Sequence, residues 1–292
     1  MGASFYYMGR TLYGGIRDLA SGEVAVRWGS LAGALGIAAG CGVLGGWLWQ
    51  LALASLGLRL GFRECLSIQA TSNLAKYLPG YAWQQVGKGY LTQRAVHAGG
   101  RVGLALLVEF GALVGTAGVL AFAAMPAGTV WPWVGAPPTG VRVLAGGGLA
   151  LVLVLGAPLG RLALRRVARA RPAWVVASLR PAPFYGLLGA ALLSWLLFGV
   201  SYALTVGALH PLPLADWPLA LHTLTLSFVV SLLTPFVPGG IGVREGLMAY
   251  LLAARLPGGA AALAAVLSRL VVIAGELSSL GISRAWEAIH RR

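Results

Sequence analysis

The sequence predicts an all-α polytopic membrane protein, and two observations carry that prediction. Of the 292 residues, 58% are hydrophobic and only 10% are charged, and the mean hydropathy is +0.79. A soluble domain carries about 25% charged residues, so this chain has too few to cover a water-facing surface. Several apolar runs also reach the roughly 20 residues that a helix needs to cross the hydrocarbon core of a bilayer. A transmembrane β-barrel is not expected, because the sequence lacks short segments of alternating polarity.

Five apolar runs are long enough to cross as helices: residues 25–56, 102–125, 141–160, 184–209 and 259–283. The loops between them give the orientation, because cytoplasmic loops of membrane proteins are enriched in Arg and Lys. Residues 161–180 contain six arginines and are expected in the cytoplasm, whereas 126–140 and 210–217 contain neither Arg nor Lys and are expected outside. The tail at 284–292 then returns to the cytoplasm, and the N-terminal segment 1–24 lies outside or at the interface.

The net charge of +14 has the same origin in loop arginines, so no nucleic-acid partner is expected. Cys41 and Cys65 are isolated thiols, and the four histidines are scattered without the spacing of metal ligands. The sequence therefore predicts neither a disulfide framework nor a metal site, and no cofactor is expected.

Two further regions, 62–97 and 217–257, do not fit as simple spans, because the orientation places both ends of each on the same side. Each has two halves around a Pro–Gly pair. Pro fixes φ and Gly accepts positive φ, so the pair suits the centre of a tight turn. We predict two re-entrant hairpins, one entering from the cytoplasm and one from outside. The alternative is that both regions are short helices lying at the membrane interface.

The spans and hairpins follow a repeated order. Residues 25–125 contain a span, the cytoplasmic hairpin and a span, and residues 184–283 contain a span, the external hairpin and a span. The helix at 141–160 joins the two units and reverses the orientation of the second. The transmembrane domain, 25–283, is therefore predicted to be an inverted repeat, an arrangement in which transporter sites form near the midplane where broken helices meet.

Polar side chains are concentrated in the first hairpin. It holds the only asparagine, Asn73, and the only two lysines, Lys76 and Lys88, of a chain whose other cationic residues are arginines. Gln84 and Gln85 belong to the same segment. This composition favours a binding site for an anion. The alternative is an amphipathic interfacial segment whose lysines extend to the headgroup region.

The second hairpin contains "TPFVPGGIGVREG", residues 234–246. Its prolines end the descending helix by removing N–H donors, and its glycines let the backbone turn and approach an anion closely. The helix that restarts near Val243 then directs free N–H groups and its positive dipole end at that anion, as phosphate-binding helix starts do. The predicted headgroup-binding residues are Asn73, Lys76, Gln84, Gln85, Lys88, Gly239, Gly240, Gly242 and Arg244.

Four more charged residues form a predicted intramembrane network: Glu109, Glu245, Arg269 and Glu276. A charge at mid-span costs about 2.5–3.5 kcal/mol, so these side chains should face the protein interior. Arg269 and Glu276 are about two helical turns apart, so each needs another partner, and we expect Glu245 to pair with Arg269. The alternative is an ion pair that only fixes packing.

The stretches "NLAKYLPGYAWQQVGKGYL", "LVEFGALV", "TPFVPGGIGVREG" and "LSRLVVIAGEL" together resemble the lysylphosphatidylglycerol synthase transmembrane-region family. That family includes the flippase domain of the multiple peptide resistance factor and stand-alone proteins often encoded near glycosyltransferases. The resemblance covers about residues 28–283. It implies a helical bundle with re-entrant hairpins that moves lipids between leaflets, with family-typical charges at Glu109, Arg244, Glu245, Arg269 and Glu276. The aminoacyl-transferase domain of the fused relatives is missing, so lipid lysinylation is not implied.

We therefore expect a lipid translocase, not an enzyme, in a bacterial or archaeal cytoplasmic membrane with its C-terminus in the cytoplasm. The chain has no nucleotide-binding loop and no Asp-x-Asp motif, since Asp18 and Asp216 are its only aspartates. The expected partners are lipids with anionic phosphate headgroups, and a glycosyltransferase or a second copy of the chain. The alternatives are a translocase or glycosyltransferase partner for polyprenyl-phosphate-linked sugars, and a membrane-embedded lipid-modifying enzyme.

Overall fold

The structure, a computed structural model, describes residues 26–77, 83–126, 139–170, 179–232, 240, 242–253, 255–256 and 259–290. These residues form nine α-helices and no strand. The helices are α1 (Trp28–Ser55), α2 (Phe62–Asn73), α3 (Trp83–Val96), α4 (Gly99–Ala123), α5 (Thr139–Ala170), α6 (Pro181–Leu209), α7 (Trp217–Ser231), α8 (Val243–Leu252) and α9 (Ala260–His290). Short 3-10 helices, Leu74–Tyr77 and Leu214–Asp216, follow α2 and precede α7.

Five helices in this part of the chain are long and apolar enough to cross a membrane. Four of them, within α1, α4, α6 and α9, match predicted spans, which confirms the all-α polytopic membrane class. The fifth, Leu214–Ser231, differs from the prediction, which treated this region as one limb of a hairpin. The 3-10 turn runs directly into α7 and extends it to 18 residues. The predicted connecting helix, 141–160, lies inside the longer α5.

The helices form two sets that pack in matching ways. The first set is α1 to α4 and the second is α6 to α9, with α5 between them in the chain. Within the sets, α1 packs on α2 as α6 packs on α7, and α3 packs on α4 as α8 packs on α9. Between the sets, α4 packs on α7 as α9 packs on α2, and α1 packs on α6. This pattern is the one expected of a repeat, while the inversion of the second set remains a prediction.

One close helix contact recurs at the same place in each set. A Cβ at Gly46 of α1 would lie 2.8 Å from Cα of Leu66 in α2, and one at Gly199 of α6 would lie 2.7 Å from Cδ1 of Leu221 in α7. Counted from the helix starts, each glycine is residue 19 of its helix and each leucine is residue 5 of the next. Small residues allow such close helix approach. The glycine of each set therefore allows the first two helices of that set to pack closely together.

Several predicted features lie outside the described residues: the N-terminal segment 1–24, the turn at Pro79–Gly80, Gly239 and most of "TPFVPGGIGVREG". The C-terminal prediction is changed at its boundary. Helix α9 continues to His290, so most of the segment predicted as a tail, 284–292, is helical.

Candidate functional site

A cavity of about 280 Å³ lies between the two helix sets. At about 30 Å³ for each water in the liquid, it has room for roughly nine waters, or for a lipid headgroup without its chains. Both predicted hairpin regions line it, together with α1, α4, α6 and α9. We call one part of its lining the polar wall: Gln69, Asn73, Lys76, Gln84, Gln85, Arg244, Glu245, Arg269 and Glu276. We call another part the aromatic wall: Phe110, Trp195, Phe198 and Phe228.

Asn73 is the centre of an amide network on the polar wall. Its Oδ1 accepts hydrogen bonds from Nε2 of Gln69 at 3.0 Å and from Nε2 of Gln84 at 2.7 Å. Asn73 is itself buried, at the end of α2. The network therefore ties the second hairpin helix, α3, back to the first, across the segment where the turn was predicted. Asn73, Gln84 and Gln85 all reach the cavity, as the sequence analysis expected of a binding site.

Two carbonyl oxygens of this wall lack a hydrogen-bond partner within the described residues. They are Oε1 of Gln69 and Oε1 of Gln85, both buried. Leaving a buried acceptor unsatisfied costs about 1–3 kcal/mol, and buried acceptors without partners are rare in folded proteins. These two oxygens are therefore available to accept hydrogen bonds from a donor that enters the cavity.

Lys76 forms an ion pair with Glu276 across the cavity lining. Lys76 lies in the 3-10 turn after α2 and Glu276 lies on α9, so the pair connects the first hairpin region to the last long helix. The two side chains are 27% and 12% exposed, so both reach the cavity. Lys76 was expected at the site, whereas its pairing with Glu276 was not predicted.

Glu245 has two roles at the start of α8. Its Oε2 accepts a hydrogen bond from the Gly242 backbone N–H at 2.7 Å, and its Oε1 accepts one from Nη1 of Arg269 at 2.5 Å. The expected pairing of Glu245 with Arg269 is therefore present, with side chains 6% and 23% exposed. The cap was missed, although Glu three residues after a helix-start residue is its usual signal.

The cap corrects the picture of a helix start with free N–H groups. The backbone at Gly240 and Gly242 has φ of +67° and +86°, a conformation that glycine adopts without strain. The turn chemistry expected of these glycines is therefore present. However, the Gly242 N–H already binds the Glu245 carboxylate, so an anion meets a helix start that is partly occupied. Arg244, which directly precedes Glu245, lines the cavity and is half-buried.

Lys88 is not at the cavity, which corrects its assignment as a headgroup ligand. Its Nζ lies 2.6 and 2.5 Å from the two carboxylate oxygens of Glu109, and both side chains are almost fully buried, at 2% and 4% exposed. The ammonium also lies 4.3 Å from the ring centre of Trp49. Trp49 donates from Nε1 to Oγ1 of Thr92 at 3.1 Å. Lys88 faces this closed cluster because it lies on the side of α3 that packs against α4.

The aromatic wall was not predicted. Trp195 and Phe228 have ring centres 4.8 Å apart, and Trp195 donates from Nε1 to the Leu113 carbonyl at 3.0 Å. Phe110 lines the cavity and is among the exposed large apolar side chains of the described residues. Helix α6 adds hydroxyl groups at helical spacing: Ser194, Ser201, Tyr202 and Thr205. That spacing is visible in the sequence and could have indicated this face.

Comparisons with known proteins agree with the resemblance found in the sequence. The family model described as "Lysylphosphatidylglycerol synthase TM region" matches residues 3–275. Comparison with curated proteins gives no match. The family match covers α1 to α8, the first half of α9, and every residue of the polar and aromatic walls except Glu276, which directly follows its last residue.

Proposed function

We propose that this chain, which belongs to the lysylphosphatidylglycerol synthase TM region family, moves a phosphate-bearing lipid between the two leaflets of its membrane. Family membership itself supports a multi-pass membrane protein with a lipid-related function. The step to translocation rests on one observation. The cavity between the two helix sets is lined both by charged and amide side chains and by aromatic ones, and so offers polar and apolar groups to the two parts of a lipid.

The polar wall supplies the groups that a phosphate needs. Arg244 and Arg269 both line the cavity, and an Arg guanidinium can donate two parallel hydrogen bonds to a phosphate. Lys76 adds an ammonium group to the same lining. Hydrogen bonds to charged groups are stronger than neutral ones, and the low dielectric inside a membrane protein strengthens them further. We therefore propose that the headgroup phosphate binds between these cations.

The aromatic wall supplies a place for the first part of the lipid chains. The cavity has the volume of a headgroup, so the chains must leave it toward the membrane. Phe110, which is both cavity-lining and exposed, marks the position on α4 where we place that exit. The chains then stay in the hydrocarbon region while the headgroup is in the cavity.

Movement of the headgroup requires the ion pairs of the cavity to exchange partners. Glu245 holds Arg269 in the structure. We propose that the arriving phosphate draws Arg269 away from Glu245 and that the pair reforms when the lipid leaves. Exchange of ion-pair partners breaks no covalent bond of the lipid. We therefore propose a translocase and not a lipid-modifying enzyme.

The amide and hydroxyl groups of the cavity support a second candidate substrate. The cavity is lined by the amides of Gln69, Asn73, Gln84 and Gln85 and by the α6 hydroxyls, which are groups that bind sugar hydroxyls by hydrogen bonds. A polyprenyl-phosphate-linked sugar presents such hydroxyls beside a phosphate. This version of the function also fits a glycosyltransferase partner. We place the protein in a bacterial or archaeal cytoplasmic membrane with its C-terminus inside.

Reconstitution tests the proposal directly. The protein is placed in liposomes with a fluorescent phospholipid or a fluorescent polyprenyl-phosphate sugar, and a membrane-impermeant quencher reports exchange between leaflets. We expect exchange of at least one of these lipids. Arg269→Gln should reduce the rate about tenfold or more, because it removes a charged hydrogen bond of about 1.5–3 kcal/mol. Arg255→Gln is the matched control, because Arg255 is 56% exposed, pairs with Asp216 and does not line the cavity.

Two results would overturn the proposal. One is folded protein that exchanges no lipid of either kind. The other is chemical conversion of the headgroup during the assay, seen by mass spectrometry, which would favour the enzyme.

A further inference from the structure

We infer that the cavity selects headgroups by net charge. It favours a phosphodiester without a cationic group, with a net charge of −1, over headgroups that are diphosphate-linked or zwitterionic. The inference rests on the proposed function, since it names the substrate class of the same cavity.

The charges on the cavity lining do not cancel. Five charged side chains line it among the described residues, three cations and two carboxylates, which leaves a net charge of +1: Lys76, Arg244, Arg269, Glu245 and Glu276. In the sequence, residues 78–82, 233–239 and 241 carry no charged side chain, so these parts of the two hairpin regions add nothing to the count. The pair of Lys88 and Glu109 is neutral and lies elsewhere, so it does not alter the count.

The two carboxylates are already matched inside the protein. Glu276 pairs with Lys76, and Glu245 pairs with Arg269. When a phosphate enters, these pairs can exchange partners, but the sum of the charges stays fixed by the side chains present. The sum, and not any one contact, is what the ligand has to balance.

The net charge of the lining affects ligand binding more strongly inside the protein than it would at a water-facing surface. Charges interact more strongly where the dielectric constant is low, and an uncompensated charge inside a membrane protein is costly. A phosphodiester brings one negative charge and neutralises the cavity. A diphosphate brings two or more and reverses its sign. A zwitterionic headgroup brings no net charge and leaves the cavity positive.

Charge variants test the sum independently of the individual contacts. Arg244→Gln brings the net charge of the cavity to zero and should remove the preference for a phosphodiester over a zwitterion. Glu276→Gln raises it to +2 and should shift the preference toward a diphosphate. The double variant Lys76→Gln with Glu276→Gln breaks an ion pair but keeps the sum at +1. Because Lys76 is lost, this variant should bind all three lipids more weakly, but their order of affinity should stay that of the unmodified protein.

The experiment measures binding of lipids that share the same acyl chains and differ only in the headgroup. The probes are phosphatidylmethanol as the phosphodiester, diacylglycerol pyrophosphate as the diphosphate and phosphatidylcholine as the zwitterion. The full chain is titrated with each in detergent, and native mass spectrometry gives the apparent affinities. We expect phosphatidylmethanol to bind at least about tenfold more tightly than either other lipid, because one unit of charge is left unbalanced in both other cases. Arg255→Gln changes the protein's charge by the same amount outside the cavity and should leave the ranking unchanged.

The outcomes separate this inference from the function on which it rests. If the diphosphate or the zwitterion binds as tightly as phosphatidylmethanol, the charge rule is wrong, while translocation of a phosphate-bearing lipid still stands. A changed ranking in the charge-preserving double variant also overturns the rule, because the contact and not the sum would then decide. If no phosphate lipid binds and none is exchanged in liposomes, the proposed function fails first. Where a single variant does not fold, the ranking of the unmodified protein and that of the double variant still decide.

Discussion

Two ion pairs occupy corresponding places in the two helix sets and differ in almost every other respect. Lys88 and Glu109 join α3 to α4, and Glu245 and Arg269 join α8 to α9. In each set the pair connects the helix after the predicted turn to the long helix that follows it. The order of the charges is reversed, since the cation comes first in the first set and the carboxylate comes first in the second.

The surroundings of the two pairs explain why only one of them suits ligand binding. The first pair is closed off by the ring of Trp49 and is away from the cavity. The second pair lines the cavity, and its arginine is partly exposed there. A buried pair without access to a ligand can only fix packing, whereas a pair on a cavity can exchange partners. Similar places in the two helix sets therefore hold one pair that fixes packing and one pair that is a candidate binding element.

The largest effect is expected from breaking the closed pair. Lys88→Met leaves the Glu109 carboxylate buried without its cation, and the free energy of unfolding should fall by about 3–5 kcal/mol. Unfolding in detergent with a denaturant series measures it. The double variant Lys88→Met with Glu109→Leu should recover most of this stability and retain lipid exchange. Loss of exchange in a stable double variant would mean that this pair belongs to the transport machinery.

Breaking the open pair should affect transport more than stability. Glu245→Gln removes the charge that holds Arg269 but keeps an oxygen for the Gly242 N–H, and Arg269 can reach the cavity. We expect the free energy of unfolding to fall by about 1.5–3 kcal/mol, the value of a hydrogen bond to a charged group. Combining Glu245→Gln with Arg269→Gln should recover stability relative to either single change, while exchange stays lost. Strictly additive losses in thermal melts would show that the two side chains are not energetically coupled.

The third pair, Lys76 with Glu276, is the most accessible of the three buried or half-buried pairs in the described residues. Its net contribution to stability should be about 1 kcal/mol or less, as for solvated ion pairs. Lys76→Gln should therefore melt close to the unmodified protein in the same detergent. A loss comparable to that of Lys88→Met would show that water does not reach this part of the cavity.

A similarly small effect is expected from the aromatic side chain that covers the closed pair. Trp49→Phe keeps a ring beside the Lys88 ammonium and removes the hydrogen bond to Thr92, a change of about 0.5–1.5 kcal/mol in unfolding free energy. Lipid exchange should be unchanged, since Trp49 does not line the cavity. The cavity residue Trp195 provides the contrast, because Trp195→Phe removes a similar hydrogen bond but alters the aromatic wall and should slow exchange.

The membrane class, four of the spans and every residue of the polar wall except Gln69 could be predicted from the sequence, because each depends on local composition. The Glu245–Arg269 pair could also be inferred, since Glu245 lies at a helix start and Arg269 needed a partner other than Glu276. The partners of Lys76 and Lys88 could not. Lys76 pairs with a residue 200 positions away, and Lys88 turns toward α4 and not toward the cavity. Which face of a helix meets which neighbour depends on packing between distant segments, and no local pattern encodes it.

The extension of α7 has a different cause. Residues 210–217 were expected to be an external connection, but Leu214–Asp216 form a 3-10 turn that continues into the helix. Such a turn needs only a few residues with ordinary backbone angles, so it leaves little trace in the sequence. The aromatic wall was missed because Phe110, Trp195 and Phe228 come from three separate helices, and each taken alone looks like a lipid-facing side chain.

The two oxygens of Glu245 have a consequence for the stability of the α8 N-terminus when the contact with Arg269 breaks. One oxygen keeps the first turn of α8 wound, and the other holds the arginine. Because these tasks fall on different atoms of one group, the arginine can be released while the helix end stays intact. A site that had to unwind its helix to let go of the arginine would pass through a partly unfolded state in every cycle. Here the contact with Arg269 and the contact with the Gly242 N–H use different oxygens of one carboxylate. Release of the arginine therefore does not require the backbone to move.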